Sequence, residues 1–206
     1  KRLILTKEDM KQVYSIIILV LCPILLFGQG DTPITIKTDI FTVVYSEAYE
    51  QPLQVNYRVF CPSGDADRGG MDFHKVEGVK TSDNYDYIGN PYDKGHLAPA
   101  AAFKCDKETL RKTFSYLNCA LQHMGLNRGP WKELERFERN LAKVYENIDV
   151  VIYVHFENEP EYVKGGALIP SGFTKVISIN GERMWKFTFD NIDLAGRDWG
   201  DFQVPL

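Results

Sequence analysis

Apolar and polar residues alternate over several short runs of this chain, and that period of two predicts strands through much of its length. Phe41 to Tyr45 and Gln54 to Phe60 read as early strands, and Ile148 to Phe156 as a longer, more continuously apolar one. Phe173 to Ile179 and Glu182 to Asp190 flank Asn180-Gly181, and Trp185, Phe187 and Phe189 occupy every second position of the latter run. This pattern predicts a hairpin closed by a two-residue turn, and together the runs predict a core sheet. One stretch has the other period. Leu134, Phe137, Leu141 and Val144 recur at helical spacing behind Pro130, which suits a first helical position with Gly129 as its cap, while Glu135 and Glu138 fall off the stripe. The turn-rich segments Gly64 to Gly70 and Thr81 to Tyr92 predict loops, and long loops over a sheet suit a substrate groove.

The chain opens differently. Met10-Lys11-Gln12 is a short charged start, Ile16 to Phe27 is apolar, and Gly28-Gln29-Gly30 supplies small residues, which together predict a cleaved secretory signal over residues 10–30. The run is short for a bilayer span and Pro23 interrupts it, so the expected product is secreted or periplasmic, with no stable membrane association. Residues 1–9 lie upstream of the expected start, and 31–206 form one domain.

Composition permits a folded enzyme without suggesting which. The chain has 206 residues, 44% of them hydrophobic, enough for one sizeable core. Its 24 Lys and Arg against 28 Asp and Glu give a net charge of -4, which argues against a protein coated in basic residues for constitutive nucleic-acid binding. Past the leader three cysteines remain, Cys61, Cys105 and Cys119, so at most one internal pair can form. A Cys105–Cys119 pair would staple the stretch between the two motifs described next; three buried thiols are the alternative. No Cys or His spacing matches a structural zinc site.

Chemistry concentrates in two clusters. The first, Asp93-Lys94-Gly95-His96-Leu97-Ala98-Pro99, sets a histidine between a glycine, expected to turn the backbone tightly, and a proline. A histidine alone at a strand end is most often a surface residue. The second cluster, about thirty residues on, changes that: Thr113-Phe114-Ser115-Tyr116-Leu117-Asn118, Gln122, then Leu126-Asn127-Arg128-Gly129-Pro130-Trp131-Lys132-Glu133-Leu134-Glu135.

Taken together, these clusters resemble the DNA/RNA non-specific endonuclease family, which carries Asp-Arg-Gly-His-x-Ala-Pro, then Thr-Phe, Ser-Asn and Leu-Asn-x-Gly-x-Trp-x-x-Leu-Glu in the same order. Asp65-Ala66-Asp67-Arg68 resembles the family's upstream Ala-Asp-Arg loop, and the likeness runs from about Phe41 to the last residue. It implies an α+β fold, with a central antiparallel sheet core flanked by helices and a ββα-metal active-site motif. It also implies an Mg²⁺-dependent endonuclease acting on DNA and RNA through phosphate contacts, with Mn²⁺ as a substitute ion.

The implied roles follow residue by residue. His96 takes a proton from water as general base, its other ring nitrogen held by a backbone carbonyl. Asn127 is the metal ligand through its side-chain oxygen. Glu135 holds a metal-bound water, and Arg68 clamps the scissile phosphate. Asn118 belongs to the catalytic set as an organiser of the site, Lys94 and Arg128 contact substrate, and Asp93 is structural.

The chain departs from the family at Lys94, where arginine is usual, and at Leu121, often proline; Asp201 to Leu206 resembles the family's final segment cut short, the expectation being an incomplete reading frame. Lys94, that ending and the acidic charge favour the competing expectation, a catalytically inactive extracellular β-rich binding domain on the same scaffold. A pocket closed by Phe103 or Tyr116 would support it.

Overall fold

A computed structural model describes residues 32–206, so the expected leader and upstream residues lie outside the described part. Five of the nine strands described fall within about three residues of where the alternation places them, and the other four were not expected. In chain order the nine are β1 (Ile34–Lys37), β2 (Phe41–Ser46), β3 (Gln51–Arg58), β4 (Tyr92–His96), β5 (Cys119–His123), β6 (Ile148–His155), β7 (Gly172–Ile179), β8 (Glu182–Asp190) and β9 (Gln203–Val204). The helices that matter are α1 (Lys107–Lys112) and α2 (Lys132–Leu141).

Seven strands form one sheet in the order β1-β2-β3-β6-β7-β8-β9, every neighbouring pair antiparallel. Because side chains alternate across a strand, Val43 and Tyr45, Val55 and Tyr57, Ile148, Val150 and Ile152, Phe173 and Ile177, and Phe187 and Phe189 are all buried in one core with Trp131 and Leu134. The turn between β7 and β8 uses Asn180 (φ 51°) and Gly181 (φ 88°), the left-handed pair that matches the twist of a two-residue hairpin.

β4 and β5 stand apart from that sheet as a two-stranded ribbon that pairs Asp93 with Gln122 and His96 with Cys119. Gly95 is no turn, contrary to expectation. It lies mid-strand opposite Ala120, where a Cβ would come 2.6 Å from the Cβ of Gln122, so the glycine serves close approach. Asn191, just past β8, clasps the ribbon to the main sheet: its Oδ1 accepts from His123 N (2.7 Å), and its Nδ2 donates to Leu121 O (2.9 Å) and Pro170 O (2.8 Å).

Two expectations need correction. α2 ends at Leu141, so Val144 lies beyond it and is 75% exposed rather than part of the stripe. Glu138, one helical step from Leu134, faces inward and is fully buried. There it accepts from the Tyr57 hydroxyl (2.5 Å) and pairs with Lys175 (2.6 Å), which is equally buried and lies 4.0 Å from the centre of the Trp131 ring. A charge on the buried face of a helix survives only when a distant strand supplies its counter-charge, and local periodicity carries no trace of that. The second correction concerns sulfur. Cys61 bonds Cys105, while Cys119 is a buried free thiol beside the Tyr87 hydroxyl (3.1 Å).

Candidate active site

β4 ends on His96, β5 runs back beside it, and a single helical turn at Met124–Leu126 leads to Asn127. The backbone breaks at Gly129 (φ −98°, ψ −119°), after which Pro130 and Trp131 lead into α2. A strand, strand and helix thus deliver the motif residues to one cleft of about 690 Å³, lined by Arg68, Asp93, Lys94, His96, Asn127, Arg128, Lys132 and Glu135 with Phe73, Phe114, Pro99 and their neighbours. A larger groove of about 850 Å³, between Lys37–Thr42, Arg58 and Lys112, holds none of the expected site residues.

His96 is boxed by aromatic rings, with Phe73 at 4.5 Å and Phe114 at 4.7 Å between centroids. Its Nε2 is buried without a hydrogen-bond partner, so the expected backbone carbonyl is not found at that nitrogen. Burial, and then the nearby positive charge of Arg68, push the imidazole down to about 3, so the ring is neutral at physiological pH. Arg68 lies on an exposed loop with its guanidinium 5.3 Å from the centre of the Phe114 ring. The disulfide helps place that loop: Cys61 N donates to Ala102 O (2.9 Å) and Ala66 N to Lys104 O (3.1 Å), tying it to the segment that follows His96.

Asp93 accepts from Asn127 Nδ2 (2.9 Å) and from Arg128 Nε (2.8 Å) and Nη2 (2.5 Å). A carboxylate only accepts, so it selects the amide nitrogen of Asn127 and turns Oδ1 away from itself. Burial pushes the Asp93 carboxyl up, but the hydrogen bonds from Arg128 and Asn127 more than offset it and hold it below the usual range. Lys94 also has partners, pairing with Asp72 (2.7 Å) and donating to Asn84. Glu135 is half-buried on α2; burial raises it to about 7, with Lys175 pulling it down and Glu138 pushing it up.

Six of the seven expected site residues therefore share the cleft, and Asn118 does not line it. Asn118 is fully buried behind it, accepting from Ala98 N (2.7 Å) and donating to Ala98 O (2.8 Å) and Thr113 O (2.9 Å), which pins the backbone just after His96. Sequence reasoning missed the orienting contact of Asp93, the ring box around His96 and Lys132. Lys132 was detectable, since it stands one helical turn ahead of Glu135 and so faces the same way.

A sequence profile described as DNA/RNA non-specific endonuclease matches residues 26–206. The chain belongs to that family. Bovine Endonuclease G, mitochondrial (Bos taurus), is 37% identical over 90 residues, which cover 42% of this chain and 30% of that protein. Nuclease EXOG, mitochondrial, of Mus musculus is 34% identical over 91 residues, covering 43% and 25%. The matches thus span under a third of these relatives. A crystal structure of an EndoG/EndoGI complex superposes with a TM-score of 0.71 at 27% identity, covering 83% of this chain and 80% of that one. The α+β fold of this endonuclease-family chain agrees with that structure. The expectation of secretion is overturned: both of these relatives are mitochondrial by name, and no finding supports export.

Proposed function

We propose that this chain is a metal-dependent endonuclease that hydrolyses phosphodiester bonds in both DNA and RNA, with Mg²⁺ as its ion. One observation carries the reading: a neutral histidine beside an arginine shares a cleft with an asparagine whose oxygen is turned outward and a glutamate on the following helix. The cleft is open. Phe103 and Tyr116, whose intrusion would have favoured an inactive binding domain, are buried and do not line it, Tyr116 standing behind Phe73.

The donor set fits a hard cation held lightly. Among the described residues no group of three or more His, Cys, Asp or Glu could cage an ion, and Asp72 and Asp93 are already paired with cations. One neutral oxygen from Asn127, with water and substrate phosphate completing the shell, suits Mg²⁺, and Mn²⁺ as its substitute. When bound, that ion would neutralise charge on the departing O3′.

The protein's own groups do the rest. His96, uncharged, accepts the proton of the attacking water, and an arriving phosphate raises the ring's basicity because its negative charge favours imidazolium. Arg68 donates to the scissile phosphate oxygens as charge grows on them. Glu135 orients water beside Asn127. Asn118 fixes the backbone that carries the base. Attack by external water needs no 2′-hydroxyl, and the roles assigned here address phosphate and water rather than a base edge, so DNA and RNA are both accepted.

Incubating the purified chain with plasmid DNA and with RNA, with and without EDTA, tests this. Cleavage of both that stops with EDTA, and that His96→Ala lowers by about 10²–10⁴-fold without weakening DNA binding, is expected. Intact substrates at every Mg²⁺ and Mn²⁺ concentration refute it.

A further inference from the structure

Four cations line the cleft, Arg68, Lys94, Arg128 and Lys132. Two have carboxylate partners, since Lys94 pairs with Asp72 and Arg128 with Asp93. Among the described residues, no ion pair engages Arg68 or Lys132.

Those two cations belong to different parts of the site. Arg68 rests on Phe114, whose ring packs against His96, so it accompanies the base. Lys132 opens α2, one turn ahead of Glu135 and close in sequence to Asn127. Its acidic neighbour Glu133 is engaged by Arg136 (2.7 Å), and no ion pair joins Lys132 to Glu135. An exposed ammonium on a ten-residue helix, facing a cleft and lacking a counter-ion, offers three donors and no acceptor. That chemistry suits a backbone phosphate oxygen, which every nucleotide presents alike.

We infer that Lys132 binds a second backbone phosphate of the nucleic acid, next to the one being cut. The inference rests on the endonuclease reading and assigns it a substrate subsite. The scissile phosphate is served by Arg68 on the histidine side, and Lys132 holds the flanking nucleotide on the α2 side. Polymeric substrate gains from this contact, whereas a small diester with a single phosphate has nothing to offer it.

The test compares the parent chain with Lys132→Gln and Lys132→Arg in two measurements. The first is binding of a fluorescent DNA duplex in EDTA over a range of salt concentrations. For Lys132→Gln the slope of log affinity against log salt should shrink by about 0.9, with affinity about five- to tenfold weaker at moderate salt, and Lys132→Arg should restore both. The second is cleavage of polymeric DNA against bis(p-nitrophenyl) phosphate, where the glutamine variant should lose several-fold more kcat/KM on the polymer than on the diester. An unchanged salt slope, or equal losses on both substrates, overturns the subsite. If the parent chain neither binds DNA nor cuts either substrate, the endonuclease reading itself fails and takes the subsite with it. A parent that does both beside a variant with an unaltered slope refutes Lys132 alone.

Discussion

Asp93→Ala should uncouple metal affinity from stability. The carboxylate accepts one hydrogen bond from Asn127 and two from Arg128, and Arg128 is 67% exposed. Losing an ion pair with so exposed a partner costs about 0–1 kcal/mol, because water re-solvates the guanidinium. In a folded unit of this size that is a fall in Tm of roughly 2–4 °C or less. The amide of Asn127 then loses the acceptor that fixed its polarity, and Oδ1 no longer has a preferred direction. Loss of such an orienting partner typically costs about 10–100-fold in metal affinity or activity. The assay is Mn²⁺ affinity by electron paramagnetic resonance, paired with plasmid cleavage over a Mg²⁺ titration. The expected result is a titration midpoint displaced by that factor, with much of the rate recovered at saturating ion. A variant that matches the parent's Mn²⁺ affinity while its Tm barely moves would refute the claim that Asp93 orients Asn127.

Other outcomes follow from the same geometry. Because His96 is held down at about 3, its neutral fraction should not limit kcat/KM between pH 7 and 5, where an ordinary histidine near ~6.5 would lose most of its base form. The stability sign is fixed by the same shift: below about 6.5 the unfolded chain takes a proton that folded His96 refuses, so His96→Leu should lessen the fall in urea midpoint as pH drops from 7 to 5. Lys175→Met should destabilise by about 3–5 kcal/mol in urea because it strands the Glu138 charge, whereas the double variant Lys175→Met with Glu138→Leu should recover much of that loss. Replacing Cys61 and Cys105 by serine should cost about 2–5 kcal/mol by chemical denaturation and lower kcat on DNA, since the Arg68 loop loses its tie.

Strands β2, β3, β6, β7 and β8 and the β7–β8 turn were legible because they depend on local features, alternation and a left-handed Asn-Gly pair, whereas the short β1, β4, β5 and β9 carry too little alternation to show. The motif residues were legible as a set, since ordered clusters around His96 and Asn127 specify chemistry more sharply than any single residue. What escaped was pairing across long sequence distances. Glu138 looked solvent-facing because Lys175 is thirty-seven positions away. Cys119 looked like the partner of Cys105 because it brackets the motif stretch, but only the fold decides which sulfurs meet, and Cys61 takes that place. Gly95 looked like a turn because sequence does not display the Gln122 side chain pressing on it from the neighbouring strand.

The β4–β5 ribbon carries His96 yet shares no ladder with the seven-stranded sheet, and the side chain of Asn191 clasps one to the other. Leu97, Ala98 and Ala120, on and beside it, nevertheless lie in the same core as that sheet, so the base is held by packing rather than by a shared ladder. A substitution that loosens the interior beneath the ribbon should therefore displace the imidazole while every strand pairing stays intact.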